Sequence, residues 1–322
     1  MKRRDFLTVT SGTMLALAVK PRILAASTAS EAASWHKARN FADLPFGRVA
    51  YVEKGDGPAA LFIHGWSLNG YQWRGALDRL HTQRRCIAPD MMSMGWTETP
   101  DGQEISPATQ AVMLGQLLDK LRIDAVELVA NDSGGLTAQL FLAKYSARVR
   151  SLLLTNCDVD ENSPPSQFLP FIDKARQGTL VDDFVVPQAD DKARARSAQG
   201  VGAFYTHPER LTDETIETYF RPFVDSKLKR KQLNKFSVAM ATNPLVAIRE
   251  DLKRWNGPAR MVWGLNDPLF GVQWAEWLDH TLSGSRGIRR IEGANLFFPE
   301  EMPDLIAEEA QRLWQEKTAA TS

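Results

Sequence analysis

The segment VANDSGG at 129–135 sets a carboxylate, Asp132, beside a hydroxyl, Ser133, at the end of an apolar run. Either side chain can serve as a nucleophile that forms a covalent intermediate. Residues 125–130 (AVELVA) are aliphatic and β-branched, which suits a buried strand, and residues 136–145 (LTAQLFLAKY) space apolar side chains as a helix does. Reversing the chain between strand and helix crowds the backbone around the reactive tip. Small residues are then needed two positions before the tip and two and three positions after it. Counted from Asp132, those positions hold Ala130, Gly134 and Gly135; counted from Ser133, they hold Asn131, Gly135 and Leu136. The steric pattern selects Asp132 as the exposed tip.

The elements around this turn alternate. Residues 48–53 (RVAYVE) read as an early strand, and 60–63 (ALFI) as a buried strand leading into His64, Gly65 and Trp66. Residues 86–88, 151–155, 259–263 and 287–291 read as further strands. Residues 108–121, 272–282 and 302–316 carry helical spacing. Strands alternating with helices predict a mostly parallel sheet covered by helices. A chain of 322 residues can bury a core of that size.

Other classes find no support. Lys plus Arg equals Asp plus Glu, the net charge is zero, and no basic block or stripe occurs, so no nucleic-acid partner is expected. No C-x-x-C or H-E-x-x-H pattern occurs, so neither a metal site nor a cofactor is expected.

The first residues read as a targeting segment. Arg3, Arg4, Phe6 and Leu7 resemble a twin-arginine export signal. The apolar run at 8–19 is shorter than the roughly 20 residues that span a bilayer, so no permanent membrane anchor is expected. Small residues at 25–33 offer cleavage after Ala29 or Ala32. The expectation is a signal peptide over 1–29, passage through the twin-arginine export machinery, and a periplasmic or secreted product.

Four motifs then carry a resemblance: HGW at 64–66, PDMMSMGWTETP at 89–100, NDSGG at 131–135 and GLNDP at 264–268. Together they resemble the α/β-hydrolase superfamily. An aspartate at the nucleophile position is similar to haloalkane dehalogenases, fluoroacetate dehalogenases and epoxide hydrolases. The resemblance runs from about residue 45 to 316. It implies an α/β fold, an eight-stranded mostly parallel sheet flanked by helices, with core segments at 45–157 and 255–316. A helical cap at 158–254 is inserted after the sixth strand. In that sheet order Cys86 and Cys157 are not on neighbouring strands, so both are expected as buried free thiols.

The resemblance also implies roles. Asp132 would attack an electrophilic carbon of a small apolar substrate and form an alkyl–enzyme ester. The backbone N–H groups of Trp66 and Ser133 match the oxyanion-hole positions. Asp267 matches the acid that orients a histidine, and Asp158 is an alternative for that role. His64, Trp66, Tyr205 and Leu296 would line the substrate site. Cap residues Phe168, Phe171, Phe184, Phe204, Phe220 and Phe223 suggest an apolar pocket.

Two departures stand out. The loop at 291–297 aligns with the family's terminal loop but holds Leu296 where a histidine is expected. His64 is expected to be structural, and His36, His81, His207 and His280 are poor substitutes. Ser133 replaces the halide-binding residue that commonly follows the nucleophile, which leaves Trp66 as a candidate donor and Tyr205 as the better cap tyrosine. Alternatives are therefore a binding protein that has lost turnover, or an esterase that uses Ser133.

Overall fold

The computed structural model describes residues 30–319, so the arginine pair and the apolar run behind it lie outside the described residues. Eight strands form one sheet in the order β1-β2-β4-β3-β5-β6-β7-β8. They are β1 (Arg39–Leu44), β2 (Gly47–Lys54), β3 (Ala59–Ile63), β4 (Arg85–Pro89), β5 (Val126–Asp132), β6 (Val149–Cys157), β7 (Ala259–Gly264) and β8 (Ser285–Ile291). β2 pairs antiparallel with both β1 and β4, while all other neighbours are parallel. The sheet is thus mixed at one edge.

The central strands are buried along their whole length, as a sheet with helices on both faces requires. β1 escaped the sequence reading because RNFADL is polar and lies at the edge, where only one side needs apolar contacts. All the helices from Leu169–Arg176 to Arg249–Arg254 lie between β6 and β7. Phe220 and Phe223 are fully buried among them. Cys86 and Cys157 are both buried and unpaired.

A short helix, Glu31–Lys37, opens the described chain, capped by the Ser30 hydroxyl, which accepts from the Ala33 N–H at 3.1 Å. It buries Ala32 and Trp35, and the Trp35 ring meets Tyr71 edge-on at 5.7 Å. No helix among the described residues is long and apolar enough to cross a membrane.

Candidate active site

β5 ends at Asp132, and the helix Ser133–Lys144 starts at the next residue. The reversal puts Asp132 at φ 55° and ψ −135°, a conformation that costs a non-glycine residue about 1–3 kcal/mol. Small neighbours make it possible. A Cβ on Gly134 would lie 2.4 Å from the Ile63 carbonyl oxygen, and one on Gly135 would lie 2.3 Å from the Cys157 Cβ. These are two of the offsets at which the sequence demands small residues around Asp132, and the helix begins at Ser133, earlier than its apolar periodicity suggests.

The loop after β3 closes over this tip. The Trp66 N–H donates to Asp132 Oδ2 at 2.7 Å, and the Ser133 N–H also faces the carboxylate. A Cβ on Gly65 would meet Asp132 Oδ2 at 2.5 Å, so only glycine allows this approach. Ser133 itself is buried as the first residue of its helix. Behind the tip, Asn131 ties three segments together. Its side-chain Oδ1 accepts from Gln72 Nε2 at 2.7 Å; its Nδ2 donates to Thr155 Oγ1 at 2.9 Å and to the Leu296 backbone carbonyl at 3.1 Å.

Asp132 opens into a cavity of about 240 Å³. Its walls are mainly apolar and include seven aromatic residues: Trp66, Phe168, Phe171, Phe184, Phe204, Phe270 and Phe297. Trp66 stacks on Phe184 with centroids 6.2 Å apart and meets Phe168 edge-on at 5.3 Å. Of the six cap phenylalanines singled out from the sequence, four line this space, while Phe220 and Phe223 serve as packing. Leu296 also lines it, 2% exposed. No Lys, Arg or His does.

The structure separates the remaining sequence candidates. His64 and Tyr205, expected to touch substrate, do not line the cavity. His64 is consumed by backbone: its Nδ1–H donates to the Gly65 carbonyl at 2.8 Å and its Nε2 accepts from the Met91 N–H at 2.9 Å. Burial lowers its pKa, so the ring is neutral with both nitrogens engaged. The Tyr205 hydroxyl donates to Glu300, and its ring packs behind the cavity wall on Phe297, with centroids 5.3 Å apart. Trp66 lines the cavity with its ring, but the indole N–H donates to Ser237 Oγ at 3.0 Å rather than into the space. Ser237 had no sequence signal, because it sits in a lysine-rich helix, Lys227–Ala239, with no motif around it.

Three carboxyls occupy the strand ends. Asp267, in the turn after β7, accepts from Asn156 Nδ2 and the Leu269 N–H, both at 2.8 Å. Burial raises its pKa to about 6 against those hydrogen bonds. Asp158 follows β6 and lines the cavity with Asp132. Neither of its oxygens meets hydrogen-bond geometry, although the Ser163 hydroxyl lies close enough to offset part of the burial that raises its pKa. Asp132 is also raised, by burial first and by the neighbouring Asp158 charge second, with the Trp66 N–H opposing. Two acids in one apolar space without a cation cannot both ionise readily near neutral pH.

Comparisons with known proteins identify the fold family. Residues 58–301 match the family model described as alpha/beta hydrolase fold. The chain is similar to haloalkane dehalogenase 2 of Mycobacterium tuberculosis, 31% identical over 284 residues that cover 81% of this chain and 89% of that protein. It is also similar to epoxide hydrolase 2 of Siraitia grosvenorii, 34% identical over 149 residues, which cover 45% of this chain and 46% of that protein. Among solved structures, the epoxide hydrolase CorEH without ligand superposes with a TM-score of 0.71. It is 19% identical, with 86% of this chain and 98% of that chain covered.

Proposed function

Because the chain belongs to the alpha/beta hydrolase-fold family, as an enzyme related to haloalkane dehalogenases and epoxide hydrolases, we propose that Asp132 is its nucleophile. It attacks an electrophilic carbon of a small apolar substrate (a haloalkane, an epoxide or a related ester-like compound) and forms an alkyl–enzyme ester. The observation that carries this reading is the Asp132 carboxylate at the strained tip of β5, held by the Trp66 N–H at 2.7 Å and open to an aromatic cavity. In the ester, the same backbone donors would face the charge that develops on the carbonyl oxygen during hydrolysis.

Leu296 stands at the position where the resemblance expects a histidine, and it lines the cavity. That observation favours a second reading: a binding protein of the same fold that forms no product. Export through the twin-arginine machinery to the periplasm is part of the proposal and rests on Arg3, Arg4, Phe6 and Leu7.

Intact-mass spectrometry after exposure to 1-iodohexane and to 1,2-epoxyhexane tests the nucleophile. An adduct that maps to Asp132, vanishes in Asp132→Asn and persists in Ser133→Ala supports the proposal. An adduct that depends on Ser133 and not on Asp132 would replace it with the esterase reading. No adduct with any reactive probe would favour the binding protein.

A further inference from the structure

Ester formation at Asp132 leaves later proton transfers without an evident group to perform them. Ester hydrolysis needs a base that removes a proton from water, and ring opening of an epoxide needs an acid for the departing oxygen. None of the chain's five histidines lines the cavity, and Tyr205 is bound to Glu300. The Trp66 indole is bound to Ser237. Asp158 is what remains. It is 1% exposed, lines the same cavity as Asp132, and has only the Ser163 hydroxyl and its own backbone N–H beside it, neither at good hydrogen-bond geometry. Its place follows from the sheet: Cys157, the residue before it, pairs in register with Asp132 across β5 and β6. A buried carboxyl without a well-aligned hydrogen bond is costly in free energy, so its presence calls for a chemical reason.

We propose that Asp132 and Asp158 form a carboxyl pair that shares one proton, with Asp158 as a second catalytic residue that acts first as acid and then as base. The inference rests on Asp132 being the nucleophile. Hydrogen bonds favour a charge on Asp132. Asp132 accepts from the Trp66 and Ser133 N–H groups, which stabilise a carboxylate. Burial raises both carboxyls, Asp132 to about 8 and Asp158 to about 7, so one proton stays with the pair near neutral pH, and the reactive form is the one with the charge on Asp132 and the proton on Asp158.

With an epoxide the steps balance as follows. Asp132 Oδ attacks a ring carbon, the carbon–oxygen bond of the ring breaks, and the departing oxygen takes the proton from Asp158. The product is a hydroxyalkyl ester of Asp132 beside an Asp158 carboxylate. Asp132 is now neutral, so the repulsion that opposed ionisation of its neighbour is gone. Asp158 then takes a proton from water, and the hydroxide adds to the Asp132 ester carbonyl. The tetrahedral intermediate collapses, and the leaving alkoxide takes that proton back from Asp158. A diol departs, Asp132 is left as the acid, and transfer of its proton to Asp158 restores the starting pair. The net change is epoxide plus water to diol. An alkyl iodide needs no acid in the first step, because iodide leaves without a proton. Asp158 must then release its proton to solvent, eased by the loss of charge on Asp132, before it serves as the same base in the second step. The net change is alkyl iodide plus water to alcohol, iodide and a proton.

The test compares wild type with Asp158→Asn, using 1,2-epoxyhexane and 1-iodohexane, and reads the Asp132 adduct by quenched-flow mass spectrometry. In Asp158→Asn, epoxide opening should slow by roughly 10²–10⁴ and iodide alkylation by far less, and the iodide-derived ester should persist at least 10²-fold longer. A second reading on unmodified protein guards against misfolding of the variant. The rate of epoxide opening should rise and then fall with pH, since one carboxyl must be ionised and the other protonated. Alkylation by the iodide should only rise. The groups around Asp158 are Asp132 at the end of β5, the adjacent Cys157 and the Ser163 hydroxyl; Asp267 after β7 acts on Asp132 and Cys157, and the cap lining contributes no further titratable side chain. Adducts on Asp132 that form and decay alike in both proteins would overturn the role of Asp158 and leave the nucleophile intact. Absence of any Asp132 adduct in either protein would overturn both.

Discussion

The side-chain amide of Asn131 donates to the backbone carbonyl of Leu296 at 3.1 Å. The residue beside the nucleophile thus fixes the loop that carries the cavity's leucine, and the Leu296 N–H is held in turn by Asn295 Oδ1 at 2.9 Å. A side chain at 296 therefore has a fixed backbone from which to reach the space above Asp132. Leu296→His should bring an imidazole to that space. A positioned base is worth roughly 10²–10⁴ in rate; with Asp158 already able to take the proton, we expect the Asp132 ester to shorten in lifetime by about 10- to 100-fold. Equal lifetimes in a folded variant would show that position 296 does not reach the ester.

Burial raises the Asp158 carboxyl to about 7, and in the unfolded chain it titrates near the ordinary value of ~3.9. Between those two values the folded protein keeps a proton that the unfolded chain has lost. The stabilising contribution is therefore present at low pH and disappears as pH rises through the folded value. Asp158→Asn removes this titration. Its Tm relative to wild type should accordingly be a few degrees higher at pH 8 than at pH 5, since about 1 kcal/mol corresponds to ~2–4 °C in domains of about 150–250 residues and to less in a longer chain. A Tm difference that is the same at both pH values, measured by calorimetry, would mean that Asp158 is ionised in the fold without penalty.

Much of the site was legible because sterics leave a mark on residue type. Ala130, Gly134 and Gly135 reveal the turn, and Gly65 permits the approach of Trp66; each is small because a neighbouring atom occupies the space a side chain would need. The aromatic lining was legible in part: phenylalanine spacing marks apolar faces but cannot say which face meets a cavity, so Phe204 lines it while Phe220 packs. Polar assignments fared differently. Which acceptor an indole or phenol finds depends on segments far apart in the chain, as with Trp66 and Ser237 or Tyr205 and Glu300. No local pattern encodes such pairs. The same holds for Asp158, whose burial on the cavity wall with no well-aligned hydrogen bond is visible only once the cavity around it is built.

The two cleavage positions read from the small-residue stretch differ in consequence. Cutting after Ala32 would remove Ser30, which caps the helix Glu31–Lys37, and would remove Glu31, which pairs with Arg74 at 2.8 Å. It would also remove Ala32, which is 2% exposed in the core. Cutting after Ala29 keeps all three. The exported protein should therefore begin at Ser30 when its N-terminus is determined by mass spectrometry of the periplasmic fraction. Replacing Arg3 and Arg4 by lysine should leave the precursor in the cytoplasm. A mature chain that begins at Ala33, or unchanged export of the double-lysine variant, would contradict the proposed processing.

The central claim is that turnover passes through an ester of Asp132. A single turnover of 1,2-epoxyhexane in ¹⁸O-water separates this from direct attack by water on the substrate. Hydrolysis of the ester places the solvent oxygen on the Asp132 carboxyl, so the tryptic peptide that contains residue 132 should gain 2 Da while the first diol released carries no label. Labelled diol together with an unlabelled Asp132 peptide would contradict the account.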